Sequence, residues 1–341
     1  MTNFRYGRLR RGAHSPATYF NRRALGAAAA ALALATAAAG DYFYDGEWGK
    51  LGFGYGEFRE VYRVAVAPNG NVYVSDRSNN KIQHFTPTGS FLGWWGGPGD
   101  GPGQFRGPTG VAVAPGGRVY VVDTDNHRVQ YFDAGGKYLG QWGAYGTAPR
   151  QFKWPSGVAV APSGVVLVAD AGNNRIQRFK PNGNFDGAWG VTGNGDGAIK
   201  NPCDVALGPG GNVYVADRDN ARIQYFTAFG SFLGKWGCWG FTNGRFYYPF
   251  GIAVSADERV FVTEDYNHRV QYFSKDGSFM GKWGTLGRGD GEFNRPWGIT
   301  TSNSGKRVYV ADRWNDRVQY FGRVEDAVAP ASLGSVKALF H

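Results

Sequence analysis

The chain has 341 residues, of which 54 are Gly and 16% are aromatic, and its formal net charge is +10. Six arginines fall in the first 40 residues, which hold no acid, so the remainder carries about +4, a surplus that serves solubility and argues against a nucleic-acid footprint. Two cysteines, Cys203 and Cys238, are too few for a disulfide framework.

Residues 1–40 read as a leader. Arg5, Arg8, Arg10, Arg11, Arg22 and Arg23 precede an Ala/Leu run, ALGAAAAALALATAAAG, that is too short and too weakly apolar to span a membrane. The run fits a signal-peptide core, with small-residue cleavage options at Ala35-Thr36-Ala37 or Ala37-Ala38-Ala39. Arg22-Arg23 resembles a twin-arginine export signal, with Asn21 and Ala24-Leu25 where a stronger motif carries Ser/Thr and bulkier apolar residues. The expected location is periplasmic or extracellular; an organelle transit peptide and an uncleaved anchor are the other readings of this stretch.

From residue 41 to 323 one unit of 47 residues recurs six times, with Val64, Val111, Val158, Val205, Ile252 and Ile299 as equivalent positions. A period of this length signals a solenoid, propeller or array. Each copy holds four short runs rich in β-branched and aromatic residues, bounded by Gly, Pro, Asn or Asp; in the second copy they are VAVAP, RVYVVD, RVQYF and KYLGQWG. Four strands cannot bury both faces alone, so neighbouring units must cover them. The expected fold is an all-β, six-bladed β-propeller of four-stranded antiparallel blades. The last copy stops after three strands, near Phe321. The segment Tyr42–Gly49 has the pattern of a missing fourth strand, with Tyr44, Gly46 and Trp48 matching Tyr138, Gly140 and Trp142. It is expected to complete blade 6 and close the ring. Residues 324–341 show no repeat and read as a flexible tail.

The units end in DRSNNKIQHF, DTDNHRVQYF, DAGNNRIQRF, DRDNARIQYF, EDYNHRVQYF and DRWNDRVQYF. This pattern resembles the NHL repeat. The resemblance implies the propeller fold and leaves function open, since such propellers host lyases, ligand sensors and protein- or RNA-binding platforms. The repeated Asp, Asn and Lys/Arg read as scaffold: the amide and carboxylate cap the turn and the cation pairs with the acid. The Ala row in the first strands reads as packing near the axis, and the row Trp48, Trp95, Trp142, Trp189, Trp236, Trp283 as packing where blades diverge.

A ligand site is expected where the copies differ. The approach to the first strand reads Pro-x-Gly in four blades, but blade 1 has Val61-Tyr62-Arg63 and blade 4 has Pro202-Cys203-Asp204. Arg63 and Asp204 thus face each other across the channel mouth and would hold the two ends of a polar or zwitterionic ligand, with Tyr62 and Cys203 beside them. Non-repeat aromatics gather on blades 4 to 6, namely Trp239, Phe241, Tyr247, Tyr248, Phe250, Tyr266, Trp297 and Trp314, with Arg245, Arg295 and Arg313 among them. Of these, Tyr248, Phe250, Trp297, Trp314 and Arg313 join the candidate ligand-binding set, because aromatics with Arg typify recognition surfaces.

No cofactor or metal is expected. His127 and His268 occupy the same turn in opposite blades, too far apart for one zinc. Cys203 and Cys238 fall at opposite edges of one sheet, about 14 Å apart at about 4.8 Å per strand, and are expected as free thiols. No G-x-S-x-G occurs, and Cys203 is the nearest thing to a nucleophile. The resulting expectation is a monomeric, non-catalytic binding module for a protein, peptide or saccharide. A lyase or lactonase-like hydrolase with Asp204 as acid/base and Arg63 as electrophile is the alternative, and an RNA- or protein-binding platform a further one.

Overall fold

In the second copy the strands fall at Pro108–Val113, Val119–Asp123, Arg128–Phe132 and Tyr138–Trp142, and the pattern repeats through the chain. The computed structural model describes residues 42–324; the leader with its cleavage sites and the tail beyond lie outside them. No helix among the described residues is long and apolar enough to cross a membrane.

Six four-stranded antiparallel sheets form, each in simple chain order except the last. The innermost strands (Val61–Val66, Pro108–Val113, Pro155–Val160, Pro202–Leu207, Pro249–Val254 and Pro296–Thr301) each contact the next, and the sixth contacts the first. They enclose a channel of about 200 Å³ lined by all six. The apolar core lies between blades rather than within one. In one such layer Trp48, Tyr309, Val318 and Tyr320 of the last blade pack on Val72, Val74 and Phe85 of the first. The alternating strand pattern supplies this because both faces of every blade are covered by neighbours.

The ring closes as expected. Tyr42–Trp48 pairs antiparallel with Arg317–Arg323, matching Tyr42 to Arg323 and Trp48 to Val318. Tyr44 and Gly46 oppose Phe321 and Tyr320, just as Tyr138 and Gly140 oppose Phe132 and Tyr131 in blade 2. Gly46 has φ +151°, and a Cβ there would lie 2.3 Å from the Tyr320 hydroxyl, so the tyrosine ring occupies the space that a side chain would need. Cys203, on an innermost strand, and Cys238, just after an outermost strand of the same sheet, are both free thiols.

The repeated turn residues form the scaffold network anticipated from sequence. Buried Asp123 accepts hydrogen bonds from Arg128 Nε (2.7 Å), Asn126 Nδ2 (2.8 Å), Gln130 Nε2 (3.1 Å) and the Arg106 amide (2.7 Å). Arg128 also donates to the carbonyls of Asp100, Gly101 and Gln104. Each blade thereby grips the loop that arrives from the preceding blade. The Gln row, whose role the sequence pattern alone leaves unassigned, adds a second clamp: Gln130 Nε2 reaches the Gln104 carbonyl as well.

Blade 1 is the weak copy of this network. Lys81 Nζ stands 3.7 Å from Asp76, where the arginines of blades 2, 3 and 4 approach to 2.7 Å. Burial pushes the Asp76 carboxyl up to about 6, opposed by the Arg59 amide, Asn79 and then Lys81. A folded carboxyl raised above its unfolded value of about 3.9 takes up a proton on folding, so its ionised form costs stability above the folded pKa. Lys81→Arg should lower that pKa and stabilise the protein by about 1 kcal/mol above pH 6, the gain vanishing as pH falls toward 4. Urea unfolding of both proteins across pH 4–8 measures this; a gain that is independent of pH contradicts it. Separately, Trp48→Ala removes the buried indole that packs on Phe85, Tyr309 and Tyr320 and should cost about 3–5 kcal/mol in the same assay. A loss below about 1 kcal/mol would mean that the closing strand contributes little.

Candidate functional site at the channel mouth

At the start of every innermost strand the register slips between the first residue and the third or fourth. Such bulges re-aim side chains at the rim of a closed sheet. They stack two rings of residues over the channel. The outer ring is Tyr62, Thr109, Ser156, Cys203, Phe250 and Trp297; the inner ring is Arg63, Gly110, Gly157, Asp204, Gly251 and Gly298.

The inner ring holds a cross-channel ion pair. Arg63 Nη1 lies 3.3 Å from Asp204 Oδ2, with both side chains buried. Arg63 also donates to the Cys203 carbonyl (2.6 Å) and the Trp297 carbonyl (3.3 Å). Asp204 Oδ2 accepts the Ile252 amide at 3.0 Å. Burial pushes the Asp204 carboxyl up, while Arg63 and the Ile252 amide draw it down. Three of the four inner-ring glycines are needed by this arrangement. A Cβ on Gly157 would lie 2.5 Å from Asp204 Oδ1, one on Gly298 would lie 2.6 Å from the Arg63 Cα, and one on Gly251 would lie 2.1 Å from the Trp297 carbonyl oxygen. The sequence departures at 63 and 204 are therefore two halves of one contact.

The outer ring is divided. Blades 5, 6 and 1 contribute Phe250, Trp297 and Tyr62. The first two stack at 4.0 Å, and Tyr62 packs edge-on against Trp297 at 4.4 Å. Blades 2, 3 and 4 contribute Thr109, Ser156 and Cys203. Thr109 Oγ1 donates to the Ser156 carbonyl and Ser156 Oγ to the Pro202 carbonyl. Tyr62, Cys203 and Phe250 form one buried cluster with Trp297 packed on it. Two expectations are corrected here. Phe250 and Tyr62 are 4% and 9% exposed and form a lid rather than an open contact surface. Cys203 is buried, and desolvation pushes its thiol up to about 12, which disfavours the thiolate that a nucleophile needs. Ser75 and Thr263 also belong to this construction. They place buried hydroxyls on the Arg63 and Gly251 amides, in a strand position that other copies fill with Val or Ala.

Outside the lid the expected aromatics do assemble. Trp239, Phe241 and Tyr247 touch one another at 5.2–5.8 Å. Tyr247 stacks on Tyr248 and Tyr266, and Tyr248 lies 5.4 Å from Tyr266. Arg295 is sandwiched between Tyr266 (4.1 Å) and Trp314 (4.2 Å), and Arg313 lies 3.6 Å over Trp297. Arg218, absent from the expected set, caps the ladder 4.5 Å over Tyr248. Trp239, Phe241 and Trp314 are 59%, 58% and 47% exposed. Arg313 is engaged by Glu60 and belongs to the lid's rim.

Two loop positions build this ladder. One reads Glu60, Gly107, Trp154, Asn201, Tyr248, Arg295 around the ring, and all six have φ between 44° and 59°. Gly and Asn tolerate that conformation; bulky residues there carry strain, which persists when something else requires the side chain. The other reads Ser78, Asp125, Gly172, Asp219, Tyr266, Trp314. Aligning the six copies column by column carries this signal, in columns beside the one that singled out Arg63 and Asp204.

Among the described residues no three His, Cys, Asp or Glu side chains gather to hold a metal. His127 and His268 use Nδ1 to accept the amides of Trp154 and Arg295, so each orders a loop. A larger hollow of about 700 Å³ lies on the opposite face where the last blade meets the first, lined by Asn69, Pro87, Ser302 and Arg307 among others. Its Arg307 is bound to Asp45 at 2.8 Å, and its Tyr309 hydroxyl to the Pro87 carbonyl, so these two polar groups already bind the closing seam.

If the ion pair holds the lid, Arg63→Ala strands a buried carboxylate and should cost about 3–5 kcal/mol, while Arg63→Ala with Asp204→Ala should cost clearly less than the two single changes together. Additive losses in a denaturation-based double-mutant cycle would contradict the pairing.

The comparisons agree with this architecture. The NHL repeat profile matches residues 63–85, 105–132, 152–179, 200–226 and 293–321, that is, blades 1, 2, 3, 4 and 6. No curated protein matches in sequence. Among solved structures, virginiamycin B lyase from Staphylococcus aureus is 15% identical at a TM-score of 0.55, covering 76% of this chain and 79% of that one. A streptogramin B lyase is 15% identical at 0.58, covering 83% and 98%. A gluconolactonase from Xanthomonas campestris is 14% identical at 0.60, covering 84% and 98%. At these identities the likeness is one of fold. With five matched repeats, six four-stranded blades and a ring closed by its first strand, the chain belongs to the NHL-repeat six-bladed β-propellers.

Proposed function

We propose that this propeller is an exported, non-catalytic binding module for a protein, peptide or saccharide, and that the ligand docks on the blade 5–6 sector of the loop face. The observation that carries the reading is the ladder Tyr248, Tyr266, Arg295 and Trp314, partly exposed, with Tyr248 and Arg295 displayed from left-handed loop positions. Tyr, Trp and Arg dominate it and Lys and Glu are missing, which is the composition of a protein-recognition hot spot. Export rests on the leader sequence, with Arg22-Arg23 ahead of the alanine run.

Arg63 and Asp204 enter this reading differently from the sequence expectation. Each is already paired with the other, so a ligand reaching them must first break a buried ion pair. Their role here is to hold the lid from which the ladder extends.

The second reading is a lyase or hydrolase using Asp204 and Arg63 from within the channel. The names of the lyase and gluconolactonase neighbours favour it, and so does the raised Asp204 carboxyl. Against it, the channel holds about 200 Å³, below the roughly 300–1,000 Å³ of small-molecule sites.

Peptide and glycan arrays probed with wild type, Tyr248→Ala/Trp314→Ala and Asp204→Ala separate the two. The binding-module reading expects the aromatic double variant to lose at least about tenfold in affinity for the best hits, and Asp204→Ala to keep them wherever it folds. Hits that survive the aromatic double variant but vanish with Asp204→Ala would move the site into the channel.

A further inference from the structure

Cations on this face differ in how far their donors are used, and among the described residues Arg59 and Arg77 donate no side-chain hydrogen bond. The scaffold arginines are saturated: Arg222, for example, donates to Asp217 and to the carbonyls of Asn194, Gly195 and Ala198. Among the described residues, Arg218, Arg245 and Arg295 also donate no side-chain hydrogen bond. Arg218 Nη1 is 3.7 Å from Asp219 and Arg295 Nε is 3.9 Å from Asp265, both beyond hydrogen-bond reach. Yet two of these guanidinium groups are held in place, Arg218 on the Tyr248 ring and Arg295 between Tyr266 and Trp314. An ordered guanidinium that keeps its five N–H donors unused is a ready acceptor site for a planar anion, because its fork matches a carboxylate bidentately and little side-chain entropy remains to be lost.

Resting on the binding-module reading above, we propose that the sector recognises an acidic peptide segment, with Arg218 and Arg295 as carboxylate anchors and Tyr248, Tyr266 and Trp314 as the apolar contact between and beside them. The path from Arg218 to Arg295 runs in steps of 4.5, 5.4 and 4.1 Å through Tyr248 and Tyr266, so the two anchors are at most about 14 Å apart. At about 3.3 Å per residue, an extended strand places carboxylates two to four residues apart within that span, with the intervening side chains over the tyrosine rings.

The surroundings favour a short acidic segment over a continuous polyanion. A single-stranded nucleic acid or a polyuronate needs a basic track along its whole length. Here Asp219 and Asp265 stand beside the anchors, Asp219 on blade 4 and Asp265 on blade 5. A discrete pair of carboxylates can fit between these acids, whereas a uniform line of charges meets them.

The test uses the full chain and fluorescence anisotropy with five labelled probes. Three are peptides of one sequence, in which two positions three residues apart, flanked by Phe, are both Asp, both Asn or both Lys. The others are oligouridylate and oligogalacturonate. The Asp peptide should bind at least about tenfold tighter than the Asn peptide, as one well-made charge-assisted pair provides, and the Lys peptide most weakly of the three. Arg295→Gln and Arg218→Gln should each shrink the Asp-over-Asn preference, whereas Tyr266→Ala should weaken both peptides and leave the preference in place. Equal binding of the Asp and Asn peptides, with Tyr266→Ala still weakening both, overturns the acidic specificity and leaves the docking face standing. Tighter binding of oligouridylate or oligogalacturonate than of the Asp peptide overturns it in favour of that polymer. Failure of the Asp peptide to bind, or binding indifferent to Arg218, Arg295 and Tyr266 alike, overturns both.

Discussion

The structure depends on the buried acid that ends each second strand. Asp123 and its equivalents are fully enclosed, and each collects donors from its own turn, its own third strand and the loop arriving from the blade before. A carboxylate in that setting is tolerable only when saturated with donors, and removing any donor leaves the buried charge to bear its desolvation cost. The network therefore fixes the inter-blade loops to the blades and turns a face made of loops into a rigid surface. Two of the strained loop positions next to it have a further clamp: the Arg295 and Trp154 amides are each bonded to a histidine of the preceding blade.

On that rigid face the six copies stop being equivalent. The outer ring over the channel is aromatic in blades 5, 6 and 1 and small or polar in blades 2, 3 and 4. The two loop columns outside it repeat the division, carrying Tyr248, Tyr266, Arg295 and Trp314 on one side and Gly107, Asp125, Gly172, Asn201 and Asp219 mostly on the other. The exceptions are blade 1, which carries Glu60 and Ser78, and Trp154, exposed on blade 3 and packed against His127 at 5.6 Å. Symmetric packing cannot explain why all three columns place aromatic or Arg side chains on blades 5 and 6. The cross-channel ion pair joins the halves, since Arg63 comes from the aromatic side and Asp204 from the polar one.

Most of the fold was legible from the period. Strand order, blade number and the closure by Tyr42–Trp48 follow from where Trp48, Gly46 and Tyr44 recur, because a missing fourth strand in one place and a spare one in another admit one solution. The site was legible only in part. The exceptions Arg63 and Asp204 were visible as broken copies, and their opposition follows from counting blades. Their mutual satisfaction was not visible, because it depends on side-chain reach across an axis whose width the sequence does not state. The same gap explains Phe250 and Tyr62: an aromatic at a channel mouth is exposed or buried according to whether its neighbours in the ring meet over the centre, and here Trp297 stacks on Phe250 and shuts it. Arg218 escaped notice because Arg77 and Arg313 share its column, which made it look like part of the repeat.

The central claim is that recognition takes place on one sector of a single face, with the channel closed beneath it. Hydroxyl-radical footprinting of the protein with and without its tightest array ligand reads this residue by residue. The account predicts protection of Tyr248, Tyr266 and Trp314 with no change at Tyr145 or Trp154. Protection confined to Phe43 and the hollow at the closing seam, or to the residues of the channel wall, would contradict it.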